Sequence, residues 1–268
     1  MCPNAKPISY DFDGGFAEYV EVPPLALQGG NAVKVHAAIP NAHAALSEPI
    51  SCAINAQQLV NIGPGKTVLV IGGGPLGAIH AEVAMAFGAA RVWITQRSEP
   101  RLSQLRRLPD VTVLSEEGTA LKTLIMAETG GEGVDVAIVC APTRQAQEES
   151  VALVRKGGCI SLFASLPAGS SLITFDSRVI HYREIRLTGA SDSRPEHVHE
   201  ALRLMEANRL APSALITHHI ALADFQRGLE LMKNKQSLKV LVYPGDEFPD
   251  QAGRSEHGKK GTAHPRGF

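Results

Sequence analysis

The spacing of apolar and polar positions changes period several times along the chain, and each change marks an element. Residues 13–22 (DGGFAEYVEV) alternate apolar and polar after a Gly-Gly turn, which predicts a half-buried strand. A second short strand is expected at 33–35, between Gly29-Gly30 and Pro40. Residues 42–62, rich in Ala, Leu, Ile and Gln, predict a helix stopped by Gly63-Pro64-Gly65. Then TVLVI at 67–71 runs apolar without a break, as a parallel strand covered on both faces does. Three glycines follow, and Leu76, Ile79, Val83 and Phe87 recur at helical spacing until Gly88. RVWIT at 91–95 reads as the next strand, so strand, helix and strand fit the roughly 30 residues of a βαβ unit.

The alternation continues. Strands are expected at 111–114, 134–140, 159–163 and 184–188, with helices at 121–128 and 145–154. This pattern predicts an α/β fold, a doubly wound parallel sheet with helices on both faces. Past Pro195 the order is helix (196–207), strand (215–220), helix (222–234), strand (239–243). Residues 246–268 lack apolar periodicity and mix Gly, Pro and both charges, so a disordered tail is expected there.

Composition narrows the function classes. The 268 residues are 44% hydrophobic and 20% charged, enough to bury a core. A net charge of -1 leaves no electrostatic footprint for nucleic acid or an anionic membrane. No apolar run approaches the ~20 residues of a membrane span, and the first residues carry no secretory signature. Cys2, Cys52, Cys140 and Cys159 lie far apart, so a reducing, cytoplasmic setting is expected. No Ser-His-Asp or paired-carboxylate arrangement points to hydrolysis.

The chemistry sits in Gly72-Gly73-Gly74-Pro75-Leu76-Gly77, a G-x-G-x-x-G between a strand and a helix. In that setting Gly72 permits a tight turn, Gly74 lets backbone approach a pyrophosphate, and Gly77 lets helix and strand pack closely. The helix tip then offers unpaired N–H groups to the phosphates of NAD(H) or NADP(H). An NAD-preferring site usually has an acidic residue about 20 positions beyond the glycines. Here Gln96 and Arg97 stand there, with Arg101 a helical turn on. Gln96 removes the carboxylate that would repel a 2′-phosphate, and Arg97 or Arg101 can pair with it. The expectation is NADP(H) over NAD(H). The alternative is that both arginines are solvated and Gln96 bonds the ribose of NAD.

The runs DGGFAEYVEVP, LSEPISCAINAQ and IGPGKTVLVIGGGPLG, followed by GGCISLFASLP, IHYREIRLTGA and LITHHIALADFQRGLELMKNKQSLKVLVYP, resemble the zinc-dependent medium-chain dehydrogenases. The sorbitol, polyol and threonine dehydrogenase branch is the nearest in pattern, over roughly residues 1–245. The resemblance implies a coenzyme domain at 47–192, flanked by pieces of a chaperonin-10-like, β-rich catalytic domain at 1–46 and 193–245. It implies hydride transfer between NAD(P) and a small secondary alcohol or ketone, and a homo-oligomer. Phe16 would line the substrate cleft, and Cys140, Ala141, Phe163, Ala164 and Ser165 would lie near the nicotinamide.

The family's zinc site is expected to be incomplete. There is no Gly-His-Glu and no early Cys segment, and Cys2 stands where the last cysteine of a structural-zinc lobe would. Glu48 alone matches a catalytic-zinc carboxylate, with Cys52 a turn on, whereas such a site takes about three protein ligands. The chain therefore reads as an amino-terminally truncated, catalytically impaired member with bare apolar surface. A non-catalytic NAD(P)-binding protein and a zinc-independent quinone or enone reductase stay open. His43 is the best-placed substitute ligand, but five residues from Glu48 is a poor same-face spacing. His197 and His199 are expected as solvated helix residues, and His218 and His219 point to opposite faces of a strand.

Overall fold

The computed structural model of the chain describes residue 4, residues 6–210 and residues 212–245. Cys2 and the tail expected at 246–268 lie outside the described residues. The strands are β1 (Thr67–Ile71), β2 (Arg91–Thr95), β3 (Val111–Leu114), β4 (Val134–Val139), β5 (Val154–Leu162), β6 (Arg186–Gly189), β7 (Ile216–Ala221) and β8 (Lys239–Tyr243). The first six form one parallel sheet in the order β3-β2-β1-β4-β5-β6, the doubly wound order that reverses between β1 and β4. The helices are α1 (Pro24–Gln28), α2 (Asn41–Ala44), α3 (Ser47–Leu59), α4 (Pro75–Ala86), α5 (Glu99–Leu105), α6 (Gly118–Glu128), α7 (Arg144–Glu149), α8 (Ser177–Arg183), α9 (Pro195–Glu206) and α10 (Phe225–Lys233).

The apolar runs work as expected because both sheet faces are covered. Val68, Val70, Val92 and Ile94 pack with Ile50 and Ile54 of α3, Ile79 and Val83 of α4, and Leu202 and Met205 of α9. Leu69, Ile71, Trp93 and Ile160 face the other way, toward Leu121 and Ile125 of α6. Each such side chain contributes roughly 1.5–3 kcal/mol on burial, so neither face can be dispensed with. The first cluster runs past residue 193 into α9 and Leu215.

Residues 13–22 and 33–35 do not form the expected strands. Their alternation is real, but among the described residues no neighbouring segment offers a ladder, and an unpaired strand leaves its N–H and C=O groups without partners. Only an isolated bridge joins Ile8 to Phe12. Tyr10 and Tyr19 consequently stand 89% and 90% exposed, with Leu25 and Leu27 also bare. Of the β-rich flanking domain, the ladder structure among the described residues is the parallel pair β7–β8, in which Ile220 lies opposite Val242. The helix expected at 42–62 breaks at residues 45–46 into α2 and α3, and α5 and α8 were not anticipated.

His197 is a correction. It is buried, and its Nδ1 accepts the Arg194 N–H (3.1 Å) in the first turn of α9. Burial lowers its pKa, so the ring is neutral, while His199 is exposed as expected.

At the opposite end of the strands from the glycine turn, Asp135 of β4 ties β1, β4 and β5 together. It accepts from Thr67 N–H and Oγ1 (both 2.9 Å), Arg155 Nε (2.8 Å) and Lys66 Nζ (3.3 Å). Burial pushes its carboxyl up, but the Thr67 N–H, Arg155, the Thr67 hydroxyl and Lys66 together hold it down at about 2. A depressed carboxyl stabilises the fold above the unfolded value near 4, and that contribution is lost as pH falls toward 2. Asp135→Ala is expected to cost about 2 kcal/mol at pH 7 in a urea melt, with the difference from wild type shrinking below pH 4. A constant difference down to pH 2 would contradict the assignment.

Candidate functional site

The glycine turn is built by close approach. Gly72 leaves β1 at φ 106°, and a Cβ there would lie 2.7 Å from the Ala141 nitrogen, so the turn is wedged against the end of β4. It is fastened to β2 by Gly73 N–H to the Thr95 carbonyl (2.7 Å) and Gly72 N–H to Thr95 Oγ1 (3.2 Å). A Cβ on Gly77 would sit 2.0 Å from the Gly72 oxygen, which fixes how tightly α4 packs on β1. At Gly74 the nearest atom to such a Cβ is Arg101 Nη1, 3.7 Å away. Gly74 caps α4 with no side-chain cap bond and Pro75 opens it, so the first turn has N–H groups without intrahelical partners where Gly74 and Leu76 border the cleft.

Two adjoining spaces lie along the carboxyl ends of the strands. The smaller, about 390 Å³, is bounded by Gly72, Gly74, Gln96, Arg97, Arg101, Cys140 and Ala141. The larger, about 800 Å³, is bounded by Glu48 and Cys52 of α3, Leu76, Phe163, Ser165 and the 189–194 linker. That linker is tied to α3 by Ser51 Oγ to Ser193 Oγ (2.7 Å) and Asn55 Nδ2 to the Asp192 carbonyl (2.9 Å). Ala164 supports the larger space from behind, its carbonyl accepting Gln147 Nε2 (2.8 Å). Phe163 meets the ring of His80 edge-on at 4.3 Å, and burial takes the His80 pKa down to about 3, so that ring is uncharged at neutral pH. Pro75 and Gly77 shape the turn without lining either space. Phe16, expected in the substrate cleft, lines neither; its ring packs on Phe225 at 4.6 Å and is 67% exposed.

The three polar residues that follow β2, Gln96 and Arg97 before α5 and Arg101 on it, have separate fates. Gln96 Oε1 accepts from Arg97 N–H (2.8 Å) and Ser98 N–H (3.0 Å), steadying the start of α5. The Arg97 guanidinium pairs with Glu117 (3.2 Å), both well exposed. Arg101 stands beside Gly74, and its Nε is buried without a hydrogen-bond partner. Burial lowers its pKa, as for a cation held partly out of water.

The zinc-binding dehydrogenase profile matches residues 75–207. The L-threonine 3-dehydrogenase of Pyrococcus furiosus is 31% identical over 245 residues, 90% of this chain and 68% of that protein. A sorbitol dehydrogenase of Halalkalibacterium halodurans is 27% identical over 252 residues, 92% of this chain and 70% of that protein. A solved zinc-binding dehydrogenase from Sinorhizobium meliloti, bound to NADP, superposes with a TM-score of 0.79 at 27% identity, over 91% of this chain and 70% of that one. The chain belongs to the zinc-binding dehydrogenase family. By that membership it is an oxidoreductase of the alcohol and polyol dehydrogenase type. No helix among the described residues is long and apolar enough to cross a membrane.

The donors that meet among the described residues are fewer than the family's catalytic metal takes. Cys52 Sγ donates to Glu48 Oε1 at 3.3 Å, and burial, then the Glu48 charge and that hydrogen bond, push the thiol up to about 12. The pair is thus a thiol and a carboxylate bonded to each other. Among the described residues no group of three His, Cys, Asp or Glu comes together, and His43 is outside the larger space. Two donors are one short of a zinc-dehydrogenase catalytic site. Dialysis against EDTA, and zinc addition, are both expected to leave the melting temperature within about 1 °C, because binding energy that is not gained cannot be lost. A rise of several degrees on adding zinc would contradict this.

Lys235 also lines the smaller space and was not singled out by sequence, because nothing in its neighbourhood resembles a nucleotide motif. Asn55, Asp192 and Ser193 were likewise illegible, since their meeting depends on α3 packing beside the end of β6.

Proposed function

We propose that this dehydrogenase-family chain holds NADP(H) in preference to NAD(H) along the two spaces, to serve hydride exchange with a small secondary alcohol or its ketone. The observation that supports it is Arg101: a guanidinium beside Gly74, partly desolvated, with an unpartnered Nε. Anions are stabilised at a helix tip and by a fork of N–H donors, and the two meet here. In this reading the Gly72–Gly74 backbone and the tip of α4 receive the pyrophosphate, and Arg101 receives the 2′-phosphate. Cys140 and Ala141, which the family resemblance put near the nicotinamide, line the smaller space with Gln96 and Arg101 and so bound the adenosine end in this reading, while Phe163, Ala164 and Ser165 shape the nicotinamide end. The family's coenzyme unit is then 47–192, with 1–46 and 193–245 as its catalytic-domain flanks, and the free edge of β6 suits pairing with a second copy.

A nicotinamide held beside Phe163, Ala164 and Ser165 would supply reversible hydride transfer with the carbinol carbon of a secondary alcohol, the hydroxyl proton leaving to solvent. What the described residues supply is placement: Leu76 and Phe163 give the larger space an apolar wall, and Glu48 with Cys52 give it a polar floor. The Glu48–Cys52 pair favours a second reading, nucleotide binding with little or no polyol turnover. Titration by protein fluorescence separates the cofactors, with NADPH expected to bind at least about tenfold tighter than NADH, the size of one good charge-assisted contact. Equal or tighter NADH binding would overturn the preference. Brisk oxidation of a polyol panel by zinc-free protein would sink the second reading.

A further inference from the structure

The turn after α10 puts a lysine where helices usually end in glycine. Lys235 has φ 60°, its N–H bonds the Met232 carbonyl (3.1 Å), and Gln236 N–H bonds the Leu231 carbonyl (2.9 Å). That is a left-handed helix stop, a conformation that disfavours any residue with a Cβ. The turn is also pinned in place: Gln104 Nε2 of α5, the helix that carries Arg101, donates to the Gln236 carbonyl at 2.6 Å. Lys235 thereby lines the smaller space together with Gln96, Arg97 and Arg101. Glu116, Glu117 and Glu149 line it too, so a phosphate entering there needs cations that are not already spent. Arg97 is spent on Glu117, whereas Lys235 has no ion-pair partner among the described residues. Strain retained at a cleft, at a position that glycine would fill without cost, marks a side chain kept for what it touches.

We propose that Lys235 is a specificity-determining residue, the second cation for the 2′-phosphate, so that the cofactor is read jointly from α5 and from the flanking segment that returns after α10. This rests on the NADP(H) reading above. It is tested with adenosine fragments, which need neither nicotinamide nor turnover. Wild type, Lys235→Gly and Lys235→Arg are titrated calorimetrically with adenosine 2′,5′-bisphosphate and with 5′-AMP, and their melting temperatures are measured. For Lys235→Gly, bisphosphate affinity is expected to fall about tenfold while 5′-AMP affinity stays within about twofold, with Lys235→Arg keeping most of the discrimination. The melting temperature of Lys235→Gly is expected to stay level or rise, because glycine suits φ 60°. Stability and affinity moving in opposite directions is an outcome that a merely structural lysine would not give. If wild type discriminates and Lys235→Gly discriminates equally, the role of Lys235 is overturned and the NADP(H) reading stands. If wild type does not discriminate, that reading fails and takes this one with it.

Discussion

Gly77→Ala is expected to melt about 6–12 °C below wild type, the equivalent of roughly 3 kcal/mol in a chain of this size. The cause is a backbone collision: the new Cβ would fall 2.0 Å from the Gly72 oxygen, and neither atom belongs to a side chain that can swing away. Either α4 shifts off β1 or the turn opens, and both disturb the packing of Val70 against the helix. Gly74→Ala makes the opposite case. Its Cβ meets nothing nearer than Arg101 Nη1 at 3.7 Å, so the fold should melt within about 2 °C of wild type, while NADPH binding weakens because a methyl now fills the space a phosphate would take. Circular-dichroism melts with and without NADPH read both effects. A Gly77→Ala protein as stable as wild type would show that the turn is not packed as described.

Arg101→Ala carries the largest expected effect on binding. Removing a charge-assisted contact of about 2 kcal/mol weakens NADPH about 30-fold, while NADH moves less than about threefold, since it has no 2′-phosphate to lose. The same change at Arg97 should matter little. Its guanidinium is 73% exposed and paired with an exposed Glu117, the kind of surface pair worth under about 1 kcal/mol. Fluorescence titration of both variants with both nucleotides decides between the arginines. Loss of NADPH affinity at Arg97 rather than Arg101 would move the phosphate to the outer rim of the cleft.

The central sheet was legible because its code is local. TVLVI, RVWIT and VDVAIV need only be apolar on both faces to be buried strands, and the glycine turn needs only its own backbone to be read. The periphery was not, because its code is relational. Residues 13–22 carry a strand's alternation, but alternation becomes a strand only beside another strand, and no described segment lies there. His197 looked solvated from its polar neighbours, yet the end of a helix can bury a ring that accepts the N–H three residues back. The Arg97 and Arg101 ambiguity had the same source: one faces Glu117 and the other Gly74, and only the placement of α5 decides which. Lys235 lies over 130 positions from Arg101 in the chain, on a turn that only the packing against α5 brings to the same space, beyond the reach of any motif.

Co-crystallisation with saturating NADPH reports most directly on whether the turn after β1 cradles a dinucleotide. Density is expected with the pyrophosphate against Gly72 to Gly74 at the tip of α4, the 2′-phosphate on Arg101, and the nicotinamide beside Phe163. An empty cleft at saturation, or a nucleotide bound away from that turn, would contradict it.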